Sequence, residues 1–170
     1  MKNLSLLIVI FFIATTAQAQ NGKATTIKGK KFRETSVEIE INASDAIVWK
    51  LLTNAQDFPV WNSTVVSIEG NIALNEKIKL KSTLDVKRTF KLKVTEFDLN
   101  KKMVWADKGG RRVYTLTKVS DGTVLFSMTE RIGGFMFPLY ASKIPPFDQS
   151  FEQFAKDLKK EAEKISKTKE

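Results

Sequence analysis

Apolar and polar residues alternate with a period of two through most of this chain, and the period changes at only a few places. Val37, Ile39 and Ile41 alternate with Glu38 and Glu40, the pattern of a strand with one wet face. Asn42 or Ser44 can then cap a short helix whose Ile47, Val48, Leu51 and Leu52 share one side. A second short helical turn is predicted over 54–58, ending before Pro59. Six strands follow, over 64–69, 76–84, 87–97, 102–106, 112–119 and 123–132. Gly70-Asn71, Asn100, Lys108-Gly109-Gly110 and Asp121-Gly122 separate them, and links this short join antiparallel neighbours. The period then becomes helical. Pro145-Pro146 opens a helix to about Lys167, with Phe147, Phe151, Phe154, Leu158, Ala162 and Ile165 on one face and Lys and Glu on the other.

The start of the chain has a different pattern. Lys2 precedes an apolar run from Leu6 to Ala14, and Ala17 and Ala19 bracket Gln18 in the small-x-small arrangement of an export signal. The run is shorter than the roughly 20 residues a membrane-spanning helix needs. Residues 1–19 are therefore expected to be a cleaved signal peptide, and the mature chain, periplasmic or secreted, is expected to begin at Gln20. Residues 20–31 are polar, Lys-rich and without periodicity, which predicts a flexible arm, and 32–167 form the folded domain.

Composition narrows the chemistry. With no His and no Cys, the chain offers no imidazole base, no thiolate nucleophile and no zinc site built on either residue. No metal and no cofactor is expected. No disulfide is possible, so the fold stands on its core alone. The formal charge is +9, and about +8 once Lys2 leaves with the signal. Lys77, Lys79 and Lys81 alternate with Ile78 and Leu80, and Lys91 and Lys93 with Leu92 and Val94. That is a solvated sheet face, or a cationic face that meets anionic lipid or polysaccharide. The lysines alternate with aliphatic rather than aromatic residues and the chain is read as exported, so no nucleic-acid partner is expected. A monomer is expected.

The segment from Val37 to Trp61 carries Val48-Trp49-Lys50-Leu51-Leu52-Thr53 and, downstream, Pro59-Val60-Trp61. With the strand meander, the stretch Val113–Glu130 and the amphipathic last helix, it resembles the START-like or SRPBCC superfamily, particularly its polyketide cyclase/dehydrase branch. The resemblance covers nearly all of Phe32 to Lys167. It implies an α+β helix-grip fold: a curved seven-stranded antiparallel sheet wrapped around the last helix, two short helices after the first strand, and a ligand cavity between sheet and helix. It implies no particular reaction, because such folds serve as lipid carriers, hormone binders and cyclases alike.

Strand parity names the inward residues without help from the family. Ile78, Leu80 and Leu84 share one parity, as do Phe90, Leu92 and Val94, Tyr114 and Leu116, and Val124, Phe126 and Met128. The candidate ligand-binding walls are Leu80, Phe90, Leu92, Trp105, Tyr114, Phe126 and Met128, faced by Phe151 and Phe154. The alternative is a filled core. At about 24 cal/mol per Å³, a dry void of roughly 500 Å³ would cost on the order of 12 kcal/mol, as much as a domain's whole stability. A cavity here is small, wet or occupied. The same parity brings Arg88, Arg112 and Glu130 inward at strand ends, where a charge must reach water or a partner. Glu130 with Arg112 or Arg88 can form a pair at the mouth; otherwise these side chains end in solvent or in a plain rim salt bridge. Glu130 is also the candidate acid or base, with Tyr114 as a hydrogen-bond donor.

Trp49 and Trp61 are read as packing residues, and Trp105 is less constrained. Gly133-Gly134 followed by Phe135, Met136, Phe137, Pro138, Leu139 and Tyr140 is either a hinged apolar flap, able to gate the cavity or touch a membrane, or packing beneath the helix. Three functions stay open. The first is an exported binding protein for a hydrophobic small molecule or lipid. The second is a cofactor-free cyclase or dehydrase, and the third is a basic protein that binds anionic envelope material.

Overall fold

The computed structural model describes residues 21–168. The expected signal peptide, with its cleavage site at Ala19-Gln20, lies outside them. Strand β1 (Ala24–Gly29) turns back into β2 (Phe32–Ile41), and helix α1 (Asp45–Thr53) and short helix α2 (Phe58–Trp61) follow. Then come β3 (Val65–Glu69), β4 (Lys77–Ser82), β5 (Asp85–Asp98), β6 (Lys102–Ala106), β7 (Gly110–Ser120) and β8 (Thr123–Gly133). Short helix α3 (Phe137–Tyr140) and the long α4 (Asp148–Thr168) close the chain. All eight strands form one antiparallel sheet, ordered β1-β2-β8-β7-β6-β5-β4-β3. Bulges in the β3–β4, β4–β5, β5–β6 and β7–β8 ladders bend it around α4.

The expected seven strands become eight because much of the expected arm is a strand. Six residues of β1 pair with β2, from Ala24 opposite Val37 to Gly29 opposite Phe32. Thr25, Thr26 and Ile27 are β-branched, but an edge strand with one neighbour has little to bury, so the segment lacks apolar alternation. Pro59 is a second correction. It sits in the first turn of α2, where its missing N–H would have no intrahelical partner anyway. Ser44 supplies the N-cap of α1, its hydroxyl accepting from the Ile47 amide at 3.4 Å.

Helix α4 turns Phe151, Phe154, Ala155, Leu158 and Ala162 to the sheet and packs on β1, β2, α1 and α2. Three of its carboxylates each accept a backbone N–H from another part of the fold. Glu152 takes the Ala24 amide at 3.2 Å, Asp157 the Ser63 amide at 2.8 Å, and Glu163 the Asn42 amide at 2.9 Å. These bonds tie the helix to the first strand and to the loops flanking the two helices that follow β2. The core beneath it is aromatic: the Phe154 ring lies 5.7 Å from Trp61, 6.1 Å from Tyr114 and 6.2 Å from both Phe58 and Phe126, centroid to centroid. On the outer face, Lys77 stands opposite Lys93 and Lys79 opposite Lys91 in register.

Candidate functional site

One row of residues runs straight across the concave face. Trp105 on β6 faces Arg112 on β7, which faces Glu130 on β8, which faces Thr35 on β2, which faces Thr26 on β1. Strand parity makes the row face α4, so its polar members sit under the helix rather than in bulk water. The Arg112 guanidinium donates to the Glu130 carboxylate through Nε and Nη2, and both side chains keep only 19% and 15% exposure. Burial works against the Arg112 charge, and Glu130 together with Tyr114 more than offsets it, so the guanidinium is held above its ordinary range. The same guanidinium lies 5.2 Å from the centre of the Phe151 ring, a cation–π contact from the helix side.

The row continues as a hydrogen-bonded chain. Thr26 donates its hydroxyl to Asp148 in the first turn of α4 at 2.8 Å. Its single proton is thereby committed, so the 2.8 Å contact between the two hydroxyls is donated by Thr35. Arg33 closes the group, donating to the Ile144 and Pro145 carbonyls at 3.1 and 2.6 Å and covering the Phe147 ring at 4.7 Å. Burial pulls its guanidinium somewhat below its ordinary value, with Asp148 and Glu130 pulling the other way. Beside this group opens a surface depression of about 740 Å³, lined by Thr26, Arg33, Phe137, Ala141, Ile144 and Asp148. Its lining includes Thr26, Arg33 and Asp148 of this group but neither Arg112 nor Glu130 and none of the aromatic walls.

Deeper in, the walls meet one another. Trp105, Tyr114, Phe126, Met128, Phe151 and Phe154 are all buried to within 2% of full burial. Trp105 stands edge-on to Tyr114 at 4.9 Å, and Phe126 stacks on Phe154. Among them sit three donors that meet no protein acceptor, the indole N–H groups of Trp61 and Trp105 and the Tyr114 hydroxyl, whose oxygen lies against the Arg112 guanidinium. Burial pushes the Tyr114 phenol up to about 12, although the nearby Arg112 charge pulls it down.

Of the residues singled out from sequence, Trp105, Arg112, Tyr114, Phe126, Met128, Glu130, Phe151 and Phe154 come together here. Leu80, Phe90 and Leu92 lie on the concave face at the far strands β4 and β5, where Leu80 pairs with Phe90. Arg88 does not join the site: it lies exposed towards the far end of β5, with its guanidinium 4.6 Å from the centre of the Phe90 ring, in the stretch where the ladder jumps from Leu80–Phe90 to Ser82–Asp85. Thr26, Arg33, Thr35 and Asp148 were missed. Thr35 shares the parity of Val37 and Ile39, a signal that was present; Asp148 comes near only through the three-dimensional fold.

A guanidinium and carboxylate held together at the lip of an aromatic interior can read a carboxylate, phosphate or hydroxyl on a guest. Glu130 can serve as a base only where Arg112 yields it. No group of His, Cys, Asp or Glu among the described residues is arranged to hold a metal ion.

The gly-gly segment also resolves into two parts. A Cβ on Gly133 would meet the Lys31 carbonyl at 2.8 Å, and Gly134 adopts φ +130°, so both glycines are required by the turn they make. Their amides are engaged by the Gly109 and Lys31 carbonyls at 3.1 and 3.0 Å. The turn is pinned rather than a free hinge. Phe137 is buried beneath it, and Phe135, Met136 and Leu139 face solvent.

No family model matches the chain, and no curated protein matches it. Solved structures do. A START superfamily protein from Mycobacterium smegmatis matches with TM-score 0.58 at 14% identity, covering 78% of this chain and 98% of that one. A norcoclaurine synthase point mutant from Thalictrum, in complex with a transition-state analogue, matches with TM-score 0.59 at 11% identity, covering 83% and 98%. An aromatase/cyclase from Streptomyces matches with TM-score 0.60 at 10% identity, covering 78% and 94%. At such identities what is shared is the fold: this chain has the START-like, helix-grip architecture.

Proposed function

We propose that this protein is an exported binding module that holds a small apolar molecule with a polar end between the sheet and α4. The supporting observation is the set of buried donors on Trp61, Trp105 and Tyr114 that meet no protein acceptor, arranged around Phe154 and next to the Arg112–Glu130 pair. Each buried donor left unmet costs about 1–3 kcal/mol, a cost that a guest's oxygen relieves on binding. The guest enters at the depression beside Arg33 and Asp148, leaves its polar end on the row from Arg112 to Thr26, and takes the place of aromatic contacts with its tail. One similar structure carries a transition-state analogue, so the fold accepts a small organic guest.

Native mass spectrometry of the protein purified from its host tests this. The expected result is a stoichiometric small-molecule adduct on a chain that begins at Gln20. The extracted molecule, added back at a hundredfold over its Kd, stabilises the protein by about 2.7 kcal/mol. No adduct, together with no uptake of an apolar fluorescent probe, overturns the reading. The Tyr114 hydroxyl, whose proton meets no acceptor, beside Arg112 and Glu130 also favours a second reading, a cyclase or dehydrase. There Glu130→Gln abolishes turnover and leaves affinity nearly intact, whereas loss of both marks binding alone.

A further inference from the structure

Three loops meet at one end of the molecule: the Lys30-Lys31 turn between β1 and β2, the Lys108-Gly109 turn between β6 and β7, and the segment from Gly134 to Lys143. The amides of Gly133 and Gly134 join them through the Gly109 and Lys31 carbonyls. On this end Phe135 is 82% exposed, Leu139 70% and Met136 55%. Single exposed apolar residues are ordinary on a surface, but three within five positions of one turn make a patch. The patch is presented rather than loose. Leu139 closes a turn onto the Met136 carbonyl at 3.1 Å, and Phe137 roots the segment, its ring edge-on to Tyr140 at 5.7 Å.

Charge surrounds it. Lys28, Lys30, Lys31, Lys108 and Lys143 are exposed at this end, and the Lys31 ammonium lies 5.6 Å from the Phe135 ring centre. The nearby acids are engaged in other contacts: Asp107 accepts the Gly109 and Gly110 amides at 2.7 Å, Glu34 pairs with Arg131 at 3.3 Å, and Asp148 accepts from Thr26. Lysine is depleted at protein–protein interfaces. An apolar patch ringed by lysines instead matches the two signals that hold a protein on lipid, apolar insertion and basic attraction.

We propose that this end docks on an anionic phospholipid bilayer, with Phe135, Met136 and Leu139 entering the boundary between headgroups and acyl chains and the five lysines facing the phosphates. The depression beside Arg33 and Asp148, with Phe137 and Ala141 in its lining, opens beside the same segment. A docked molecule thus brings that depression close to the lipid. The inference stands whether or not the interior holds a guest.

Flotation with vesicles of phosphatidylcholine alone, and of equal parts phosphatidylcholine and phosphatidylglycerol, tests it. The protein is expected to float with the mixed vesicles only, less so as salt rises. Replacing Phe135, Met136 and Leu139 together by Ser is expected to lower partitioning roughly tenfold or more. Lys30→Glu, Lys31→Glu and Lys143→Glu together lower it at least as far, at about fivefold per lysine lost. The comparison variant Lys77→Glu, Lys91→Glu, Lys93→Glu on the distant β4–β5 face leaves it within about twofold. No flotation with either vesicle, full binding by the serine variant, or loss confined to the β4–β5 variant each overturns the proposal. Phe135→Trp supplies a check at a single exposed site: its emission moves to the blue on mixed vesicles, and an unmoved spectrum counts against docking. Native mass spectrometry of the serine variant keeps this test apart from the pocket, since retained adduct with lost flotation separates the two.

Discussion

Arg112 and Glu130 stand directly opposite each other on β7 and β8, with the Phe151 ring of α4 over the guanidinium. Removing one partner leaves the other charge largely out of water. Glu130→Gln or Arg112→Met is expected to destabilise the protein by about 3 kcal/mol, the lower end of the buried-pair range because some solvent reaches both groups. Replacing both by apolar residues of similar size restores most of that loss. Urea unfolding of the two single variants and the double variant closes the cycle.

Tyr114 gives a prediction about the guest. The proton of its buried hydroxyl meets no acceptor while the Arg112 guanidinium lies against its oxygen, so in Tyr114→Phe the relief of the unmet donor and the loss of the Arg112 contact oppose each other; the unliganded protein is expected to change by less than about 1 kcal/mol and its hold on a guest to weaken. The effect of pH follows from the phenol, which burial pushes up to about 12. The unfolded phenol ionises near 10. Between those values the folded chain keeps a proton that the unfolded chain has released, so stability falls as pH rises through the window. Denaturant midpoints across it show this slope in the parent and a shallower one in Tyr114→Phe. Tyrosinate absorbance shows one phase at about 12 that the variant lacks.

Acid acts on the helix bonds instead. The Ala24 amide, and then Lys23, hold the Glu152 carboxyl below its ordinary range. For Glu163 burial works the other way, but the Asn42 amide and Lys159 prevail and it too is lowered. A lowered carboxylate contributes stability above its unfolded value, near pH 4.3, and loses it as pH falls through the folded one. Below about pH 4 amide exchange in β1 and at Asn42 is expected to accelerate first. In Glu152→Gln the β1 amides exchange faster already at neutral pH, and the acid step there disappears.

Phe154 sits at the centre of the aromatic interior. Phe154→Ala is expected to cost about 3–5 kcal/mol by thermal or urea unfolding. It also leaves room beside the Trp105 and Tyr114 donors, so an apolar probe added to the variant recovers part of the loss. Recovery by the probe separates an enlarged site from simple damage.

Much of this was legible in the chain itself, because a period of two is a direct record of which side of a strand is covered. That record places Arg112, Tyr114, Met128 and Glu130 on one face. It does not say how far along the sheet a residue stands, so Arg88, exposed over the Phe90 ring on β5, could not be told from a partner of Glu130 on β8. It also failed at Thr26, because an edge strand that covers little apolar surface leaves no alternation to read. Asp148 and Arg33 join the site through the way α4 and the loop before it lie on β1 and β2, and nothing local in the sequence records that approach.

The facing lysines of β4 and β5 have a consequence for the molecule among its own kind. Like charges set opposite one another weaken that ladder locally. Lys79 is paired with Glu69 of β3 at 3.0 Å, which leaves Lys77, Lys91 and Lys93 exposed one and two strands in from the open margin at β3, where they repel the same lysines of a second copy. At high concentration, and most of all at low ionic strength, the chains should stay dispersed rather than join margin to margin.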